Sequence, residues 1–303
     1  MMKSLRGMPG VVPERLARSQ TVRHCALSLV GEPIMYPHIN ELLRELHDRG
    51  ISSFLVTNAQ FPDAIRRLTP VTQLYCSVDA STRDALKAID RPLFADFWER
   101  FQDSLAALRD VTGRTVFRLT LVKGKNVGSR EDLDGYARLV VSSQPDMVEV
   151  KGVTFCGKSD ASDLRITDVP WLSEVRAFCE QLAARVEEMA AERARAAGEA
   201  VATYGLASCH GHSLCVLLAR KDRYLGEDGW YTHIDFDEFL RLERRFRATG
   251  QRFSGVDYRK KTPAWALYDA PEQGFDPNDR RFVKTRTHHP QQKQQQQQRA
   301  QKP

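Results

Sequence analysis

Apolar strands alternate with amphipathic helices along residues 24–152, and polar residues follow the end of each strand. The first strand ends in Gly31, Glu32 and Pro33, and the second ends in Asn58. This rhythm predicts a parallel sheet with right-handed crossovers, and therefore an α/β fold. The carboxyl ends of parallel strands meet at one edge, where α/β proteins bind ligands. The sequence thus predicts one pocket ringed by strand ends.

The hydrophobic period gives the boundaries of the individual elements. Strands are predicted at 24–30, 51–56, 73–78, 115–122 and 147–152, and helices at 38–49, 62–68, 82–90, 93–110, 130–142 and 171–198. The helix at 93–110 is predicted to bury Leu93, Phe97 and Phe101 on one face.

Four regions follow from these boundaries. Residues 1–23 are a lead-in, and residues 24–200 carry the strand–helix repeat. Residues 201–279 are predicted to be a small C-terminal α/β elaboration, with strands starting near residues 201, 214 and 230 and a helix at 235–247. Residues 280–303 form a basic, Gln-rich tail.

The net charge of +6 over 303 residues is unevenly distributed. Residues 280–303 contain seven Lys or Arg and no Asp or Glu, so the rest of the chain carries 6 minus 7, or −1. This tail is predicted to be disordered, because it cannot bury enough apolar area to offset the entropy of ordering. It is either a loose arm that touches RNA or a solvated segment without a partner.

No apolar run approaches the roughly 20 residues that span a bilayer, and the first residues lack the apolar centre of a secretory signal. We therefore expect a cytoplasmic protein without a membrane partner. The basic lead-in also fits an organellar transit peptide, although its charges do not share one helical face. The six cysteines are irregularly spaced and form no Cys-x-x-Cys, so thiols are expected rather than a disulfide framework.

Glu32 is a candidate ligand-binding carboxylate, suited to holding an ammonium group. Gly31 allows the backbone to approach a ligand closely, and Pro33 removes a backbone donor and stops the strand. Asn58 can hydrogen-bond in both senses, so it is a second candidate, but it is equally typical of a turn.

Ser77 and Asp79 alternate along the third predicted strand and therefore share one face. The Asp79 carboxylate either accepts a hydrogen bond from a ribose hydroxyl or caps the next helix. The sequence alone favours the helix cap.

The strand ends lie within segments that resemble one known family. These segments are 24–34, 51–62, 77–82, 90–94, 118–123, 148–157, 262–267 and 274–277. Between Gly7 and Asp279 the chain resembles the radical S-adenosylmethionine domain of the tRNA wybutosine-synthesizing enzymes, the 4-demethylwyosine synthases. The resemblance implies that residues 24–200 form a truncated radical SAM barrel, a partial (β/α)6 barrel of the TIM type.

The resemblance also implies a reaction in wybutosine biosynthesis. A [4Fe-4S] cluster reduces S-adenosylmethionine, and the deoxyadenosyl radical abstracts hydrogen from the methyl group of N1-methylguanosine beside the anticodon of phenylalanine tRNA. Pyruvate then donates two carbons to give 4-demethylwyosine, which is the chemistry of a carbon–carbon lyase. The implied partners are phenylalanine tRNA, pyruvate and an electron donor.

The resemblance transfers roles to individual residues. The element Gly31–Pro33, with Glu32 at its centre, matches the family element that binds the methionyl amino group of S-adenosylmethionine. Asn58, Ser77 and Asp79 match polar strand ends near the cofactor.

Lys123 and Lys151 follow strand ends directed toward the predicted pocket. A desolvated lysine can form a Schiff base with the carbonyl of pyruvate. Either lysine can instead pair with a carboxylate such as Glu149 or bind phosphate. Lys151 is the preferred catalytic candidate, and a Schiff-base aldolase that uses Lys151 alone is a weaker alternative for the whole chain.

The sequence departs from the family at the cluster. The family ligates its cluster through three thiolates spaced Cys-x-x-x-Cys-x-x-Cys, and no such triplet occurs here. We therefore expect a truncated sequence that lacks the cluster loop and the FMN-binding flavodoxin-like domain common in eukaryotic members, and that is inactive as given. The alternative is a paralogue or fragment that binds tRNA without catalysis.

Four residue types that can bind zinc occur close together at Cys209, His210, His212 and Cys215. Structural zinc sites usually take two ligand pairs from separate segments. A metal role stays open on sequence grounds, and histidines satisfied at the start of a strand are favoured.

Overall fold

A seven-stranded sheet lies at the centre of the computed structural model, which describes residues 2–28, 31–157, 163–198 and 200–278. Its strands are β1 (His24–Leu27), β2 (Ser52–Thr57), β3 (Val71–Ser77), β4 (Gly113–Leu121), β5 (Met147–Gly152), β6 (Tyr204–His210) and β7 (Cys215–Arg220). The strand order is β1-β2-β3-β4-β5-β7-β6. Strands β1 to β5 are parallel, whereas β7 pairs antiparallel with β5 and with β6. The predicted α/β class and parallel sheet are confirmed.

The chain divides into two compact units, and of the described residues the larger unit holds residues within 21–276 while residues 2–20 belong to the smaller one. In the smaller unit, α1 (Pro13–Arg18) begins with a proline at its first position, where the missing N–H is not needed. The larger unit contains α2 (Ile39–Asp48), α3 (Pro62–Arg66), α4 (Arg83–Asp90), α5 (Phe97–Ala107), α6 (Arg130–Ser143), α7 (Leu172–Ala197), α8 (Lys221–Tyr224) and α9 (Phe236–Thr249).

Side chains alternate between two faces along each parallel strand. In β3 and just beyond it, Leu74, Cys76 and Val78 are at most 1% exposed, and they pack in the core with helix residues. Tyr75 and Ser77, which point to the other face, are only half-buried. The period of two therefore places an apolar face against the helices and a more polar face toward the interior of the partial barrel.

The helix predicted at 93–110 begins later than expected, at Phe97. Arg91 adopts a left-handed conformation with φ 48° at the end of α4, and Pro92 follows it. This turn directs the chain away from α4 before the next helix begins. Leu93, predicted to be buried, is 96% exposed.

The predicted C-terminal elaboration contributes β6 and β7 to the main sheet. The strand expected from residue 230 is not continuous. Four short strands form two separate ladders instead, β8 (Leu225–Gly226) with β9 (Gly229–Trp230), and β10 (His233–Ile234) with β11 (Arg259–Lys260). The hydroxyl of Tyr258 donates to Thr72 O at 2.7 Å and accepts from Arg114 N–H at 2.8 Å. The segment after β7 therefore closes the amino-terminal ends of β3 and β4.

Two predicted features lie outside the described residues. They are the end of the first predicted strand at residues 29–30 and the tail at 280–303. Within the described part of the chain, every helix is too short or too polar to cross a membrane.

Candidate cofactor-binding site

A cavity of about 430 Å³ opens at the carboxyl ends of β2 and β3. The predicted residues that line it are Gly31, Glu32, Asn58, Ser77 and Asp79. Pro33 is not a lining residue; it begins a 3₁₀ turn, Pro33–Met35, that anchors the buried Ile34 beside the cavity. The structure thus brings together residues that are up to 48 positions apart in the sequence, from 31 to 79.

Glu32 is held at the cavity by its neighbours. Its Oε2 accepts a hydrogen bond from the backbone N–H of Asn58 at 2.9 Å. Its Oε1 is buried and has no hydrogen-bond partner among the described residues. Burial raises the pKa of Glu32, and the hydrogen bond from the backbone of Asn58 opposes that rise. A buried acceptor without a donor is costly, so this oxygen is suited to a donor supplied by a ligand.

Gly31 gives the chain the turn that presents Glu32. Its φ of +69° lies in the left-handed region, which glycine adopts without a steric cost. A Cβ added at Gly31 would meet no atom within 4 Å, so the glycine is required by its conformation rather than by crowding.

Asn58 serves the turn that was the alternative interpretation of this residue. Its Oδ1 accepts from the backbone N–H of Gln60 at 3.2 Å, and Ala59 N–H donates to Thr57 Oγ1 at 3.2 Å. Ala59 has a φ of 61°, and the local hydrogen bonds maintain this left-handed conformation. The side-chain amide of Asn58 still lines the cavity, so the turn fixes its position there.

Asp79 is not a helix cap, contrary to the interpretation that the sequence favoured. Thr82 is the N-cap of α4, and its side chain accepts from Ala85 N–H. The chain extends past β3 for several residues before α4 begins, which leaves Asp79 beyond reach of the first helical turn. Burial raises the pKa of Asp79, while a hydrogen bond with Thr120 and the charges of Arg118 and Lys151 oppose the rise.

A further part of the cavity lining was not assigned a role from the sequence. It is formed by Asp90 to Phe94, the segment that follows α4. Burial and the neighbouring Asp79 carboxylate raise the pKa of Asp90 to about 7. Phe94 packs edge-on against Phe61 at a centroid distance of 5.6 Å, which gives the cavity an apolar wall. The dipeptide Arg91-Pro92 was the available signal, because it marks a turn between two helical patterns.

Lys151 is not among the residues that line the cavity. It lies on β5 beside Thr120 of β4 and Cys215 of β7, on the same strand face as Glu149. Glu149 lies 3.3 Å from the Nε of Arg118, and burial raises the pKa of Glu149. In the part of the chain that the structure describes, the ammonium group of Lys151 has no hydrogen bond or ion pair, and only its backbone is paired, with β4 and β7. Its positive charge acts on the two carboxylates of Asp79 and Glu149.

Lys123, the other lysine considered, has a carboxylate partner. Its Nζ lies 3.2 Å from Glu174 at the start of α7. This pairing matches the ion-pair alternative for a strand-end lysine, with Glu174 in place of Glu149.

The cysteines offer no cluster-binding arrangement in the described ranges. No group of three or more His, Cys, Asp or Glu residues there could hold a metal ion. Burial raises the pKa of the buried thiols, which holds them as thiols rather than thiolate ligands. In the zinc candidate, His210 Nδ1 is hydrogen-bonded to Ser213 Oγ at 2.8 Å. The residues present therefore do not fit a [4Fe-4S] cluster.

Family models match most of the barrel. The Radical SAM superfamily model matches residues 13–137, and the Wyosine base formation model matches residues 142–220. Together they cover both the strand–helix repeat and the antiparallel strands β6 and β7.

Curated relatives match nearly the whole chain. An S-adenosyl-L-methionine-dependent tRNA 4-demethylwyosine synthase of Oryza sativa subsp. japonica is 53% identical over 95% of this chain and 41% of its own length. The Arabidopsis thaliana enzyme is 51% identical over 96% of the chain and 42% of its length. The Homo sapiens enzyme is 52% identical over 93% and 36%. The chain therefore spans roughly two fifths of the length of these relatives.

Solved structures agree with these matches. A structure of TYW1 with a lysine-pyruvate adduct bound has a TM-score of 0.59 and 25% identity, covering 70% of this chain and 62% of that one. A crystal structure of archaeal TYW1 has a TM-score of 0.53 and 24% identity, covering 73% and 66%, and it shows the shared fold. The chain belongs to the radical SAM family of tRNA 4-demethylwyosine synthases.

Proposed function

We propose that this chain is the S-adenosylmethionine-binding part of an enzyme of wybutosine biosynthesis. The whole enzyme condenses N1-methylguanosine beside the anticodon of phenylalanine tRNA with pyruvate to give 4-demethylwyosine, acting as a carbon–carbon lyase. The observation that carries the proposal is the buried Oε1 of Glu32, which has no partner in the described part of the chain and lies in the wall of a ligand-sized cavity. The names of the relatives support the same activity.

Different cavity residues are assigned to different groups of the cofactor. We assign the methionyl ammonium group to Glu32. An ammonium group supplies the hydrogen-bond donor that Oε1 lacks, and its positive charge pairs with the carboxylate. The side chains of Asn58, Ser77 and Asp79 are suited to the ribose and the rest of the polar backbone of the ligand. The apolar wall at Phe94 is suited to the face of the adenine ring.

S-adenosylmethionine, when bound here, supplies the source of the radical that the family uses. The cluster that reduces it does not fit the residues described, so no step is assigned to it within this chain. We infer that the chain as given binds its ligands without turnover. In the longer relatives, the cluster ligands, an electron donor and an FMN-binding domain are proposed to lie outside the matched region, and the reaction is proposed to occur in the cytoplasm.

Titration calorimetry of the purified chain with S-adenosylmethionine tests the cavity assignment. Glu32→Gln keeps the shape of the side chain and removes its charge, so binding is expected to weaken roughly tenfold to a hundredfold, the range for a charge-assisted hydrogen bond. Glu131→Gln, an exposed acid of α6, makes the same chemical change away from the cavity and should leave the affinity unchanged. Equal affinities for both variants would overturn the assignment of Glu32.

We further propose that Lys151 forms a Schiff base with pyruvate. The Nζ of Lys151 attacks the carbonyl carbon of pyruvate, and water leaves as the imine forms. Lys151 has no ion-pair partner among the described residues, whereas Lys123 pairs with Glu174. The similar structure of TYW1 has a lysine-pyruvate adduct bound, which supports the proposal.

Borohydride trapping with labelled pyruvate tests this second assignment without needing the cluster. Lys151→Arg keeps the positive charge but removes the amine, so the label should be lost. Lys123→Arg is the matched control and should retain it. Undiminished labelling of the Lys151→Arg variant would restrict Lys151 to balancing the charges of Asp79 and Glu149.

A further inference from the structure

A second cavity, of about 580 Å³, lies at the opposite end of the parallel strands from the cofactor cavity. Its floor is the start of β4 and of β5, at Gly113, Thr115 and Asp146. Four arginines from three segments of the chain line it: Arg109, Arg220, Arg223 and Arg252. Nothing in the proposed function uses this cavity.

Two of the four arginines are neutralised within the protein. Arg223 lies 2.9 Å from the buried carboxylate of Asp146. Arg220 binds Asp222 through two hydrogen bonds, at 3.0 and 2.6 Å. These pairs hold the inner wall in place, and they leave little positive charge there for a ligand.

The other two arginines have no carboxylate partner in the described ranges. Arg109 donates to the carbonyl oxygen of Ser142, and Arg252 donates to the carbonyl oxygen of Asp110. The second bond fixes Arg252 beside the segment that carries Arg109. Each guanidinium has five N–H donors, so most of the donors on both groups are available.

The remaining carboxylate in the wall is already engaged. Asp257 Oδ2 accepts from the backbone N–H of Ser254 at 2.7 Å and from its hydroxyl at 3.1 Å. It forms no ion pair with either Arg109 or Arg252 within the part of the chain described. Among the described lining residues, the two unpaired guanidinium groups outweigh the single Asp257 carboxylate, so the cavity keeps a net positive charge that an anion bound by both arginines would offset.

We propose that this cavity binds a phosphate group through Arg109 and Arg252. Guanidinium groups match phosphate oxygens with two parallel hydrogen bonds, and two such groups clamp one phosphate from both sides. The volume is sufficient for a ligand of nucleotide size. The phosphate belongs either to a small polyphosphate or to the backbone of a bound RNA.

Calorimetric titration of the full chain with inorganic pyrophosphate tests the site. The double substitution Arg109→Gln with Arg252→Gln should weaken binding roughly tenfold to a hundredfold, as expected for the loss of hydrogen bonds to a charged group. The double substitution Arg138→Gln with Arg195→Gln removes the same charge from exposed positions on α6 and α7 and should leave the affinity unchanged. Thermal denaturation of both proteins checks that they are folded.

A competition experiment distinguishes the two sources of phosphate. A fluorescent single-stranded RNA that pyrophosphate displaces from the parent chain, but that does not bind the Arg109→Gln, Arg252→Gln protein, identifies the RNA backbone as the ligand. Tight pyrophosphate binding without RNA displacement identifies a small polyphosphate. Equal weakening in the two double variants, or no pyrophosphate heat together with no displacement of RNA, would overturn the proposal.

The test of this site is independent of the test of the proposed function. Glu32→Gln should not affect pyrophosphate binding, because Glu32 lies at the other end of the strands. The Arg109→Gln, Arg252→Gln protein should bind S-adenosylmethionine with the parent affinity for the same reason.

Discussion

The two ends of the parallel strands differ in how their buried carboxylates are paired. At the carboxyl end, Glu32 Oε1 has no partner among the described residues, and burial raises the pKa values of Glu32 and Asp79. At the amino end, the Tyr258 hydroxyl and the Asp146 carboxylate each make two or more hydrogen bonds. Glu32 is thus left with an acceptor that a ligand can satisfy, whereas Asp146 is satisfied by the protein itself, although Arg114 Nε and the Tyr224 hydroxyl, near the amino end, also lack a partner in the described part of the chain.

The comparison indicates that the amino ends of the strands contribute stability and the carboxyl ends contribute ligand binding. The desolvated carboxylates at the carboxyl end lower the stability of the folded chain, because an ionised carboxylate is more stable in water, where the unfolded chain exposes it. The network at the amino end offsets that cost, because it joins β3, β4 and β5 to the C-terminal segment. Substitutions at the two ends should therefore separate stability from ligand binding.

The largest loss of stability is expected from Asp146→Ala. Asp146 is 2% exposed, and its carboxylate accepts from Thr115 N–H at 3.0 Å and from Arg223 at 2.9 Å. Its removal leaves the buried N–H of Thr115 without an acceptor, while the Arg223 guanidinium, 39% exposed, can turn to water, so the free energy of unfolding should fall by about 2–4 kcal/mol. Urea denaturation measures the loss.

Asp103→Ala is the matched control for that measurement. Asp103 also pairs with an arginine, Arg66, but the side chains are 49% and 42% exposed. The expected loss is under about 1 kcal/mol. Similar losses for the two variants would mean that burial at the amino end does not carry the stability.

A smaller effect is expected from Tyr258→Phe. The hydroxyl bridges Thr72 O and Arg114 N–H, and both partners are buried. The variant strands one donor and one acceptor, so the free energy of unfolding should fall by about 1–3 kcal/mol, with S-adenosylmethionine affinity unchanged. Tyr231→Phe, whose hydroxyl bonds the exposed Asp228, is the control. A parallel loss of cofactor affinity in Tyr258→Phe would show that the two ends are coupled.

The carboxyl end was largely predictable from the sequence, because its determinants are local. The alternation of Ser77 and Asp79 places both on one face of β3, and the strand–helix rhythm brings the ends of β2 and β3 to one edge. The contribution of Asp90 to the cavity was not predicted. The hydrophobic pattern suggested a helix from Leu93, and it contains no sign of the left-handed conformation of Arg91.

The amino end was not predictable, because its contacts join distant parts of the chain. Tyr258 and Thr72 are 186 residues apart, and Asp146 and Arg223 are 77 apart. Periodicity indicates which residues are buried, but it does not indicate which buried polar groups meet. The pairing of Lys123 with Glu174 was not predicted from the sequence for the same reason.

The smallest effect expected is a change in the pH dependence of stability from Asp90→Asn. The pKa of Asp90 in the folded chain is about 7, above the ordinary value of 3.8, so the folded state favours the protonated carboxyl. Its contribution is fully present below about pH 4 and is lost as the pH rises through 7. Because Asp90 is exposed to solvent where it lines the cavity, the amplitude should stay under about 1 kcal/mol.

Thermal denaturation between pH 4 and pH 8 measures this contribution. The amide that replaces the carboxyl group does not titrate, so Asp90→Asn should show a flatter decline than the parent chain, while Asp84→Asn, an exposed acid of the same helix, should not. Some decline should persist in Asp90→Asn, because the pKa values of Glu32 and Asp79 are raised in the same direction. Superimposable profiles for Asp90→Asn and the parent would place Asp90 in water rather than against Asp79, and would limit the unsatisfied acids of the carboxyl end to Glu32 and Asp79.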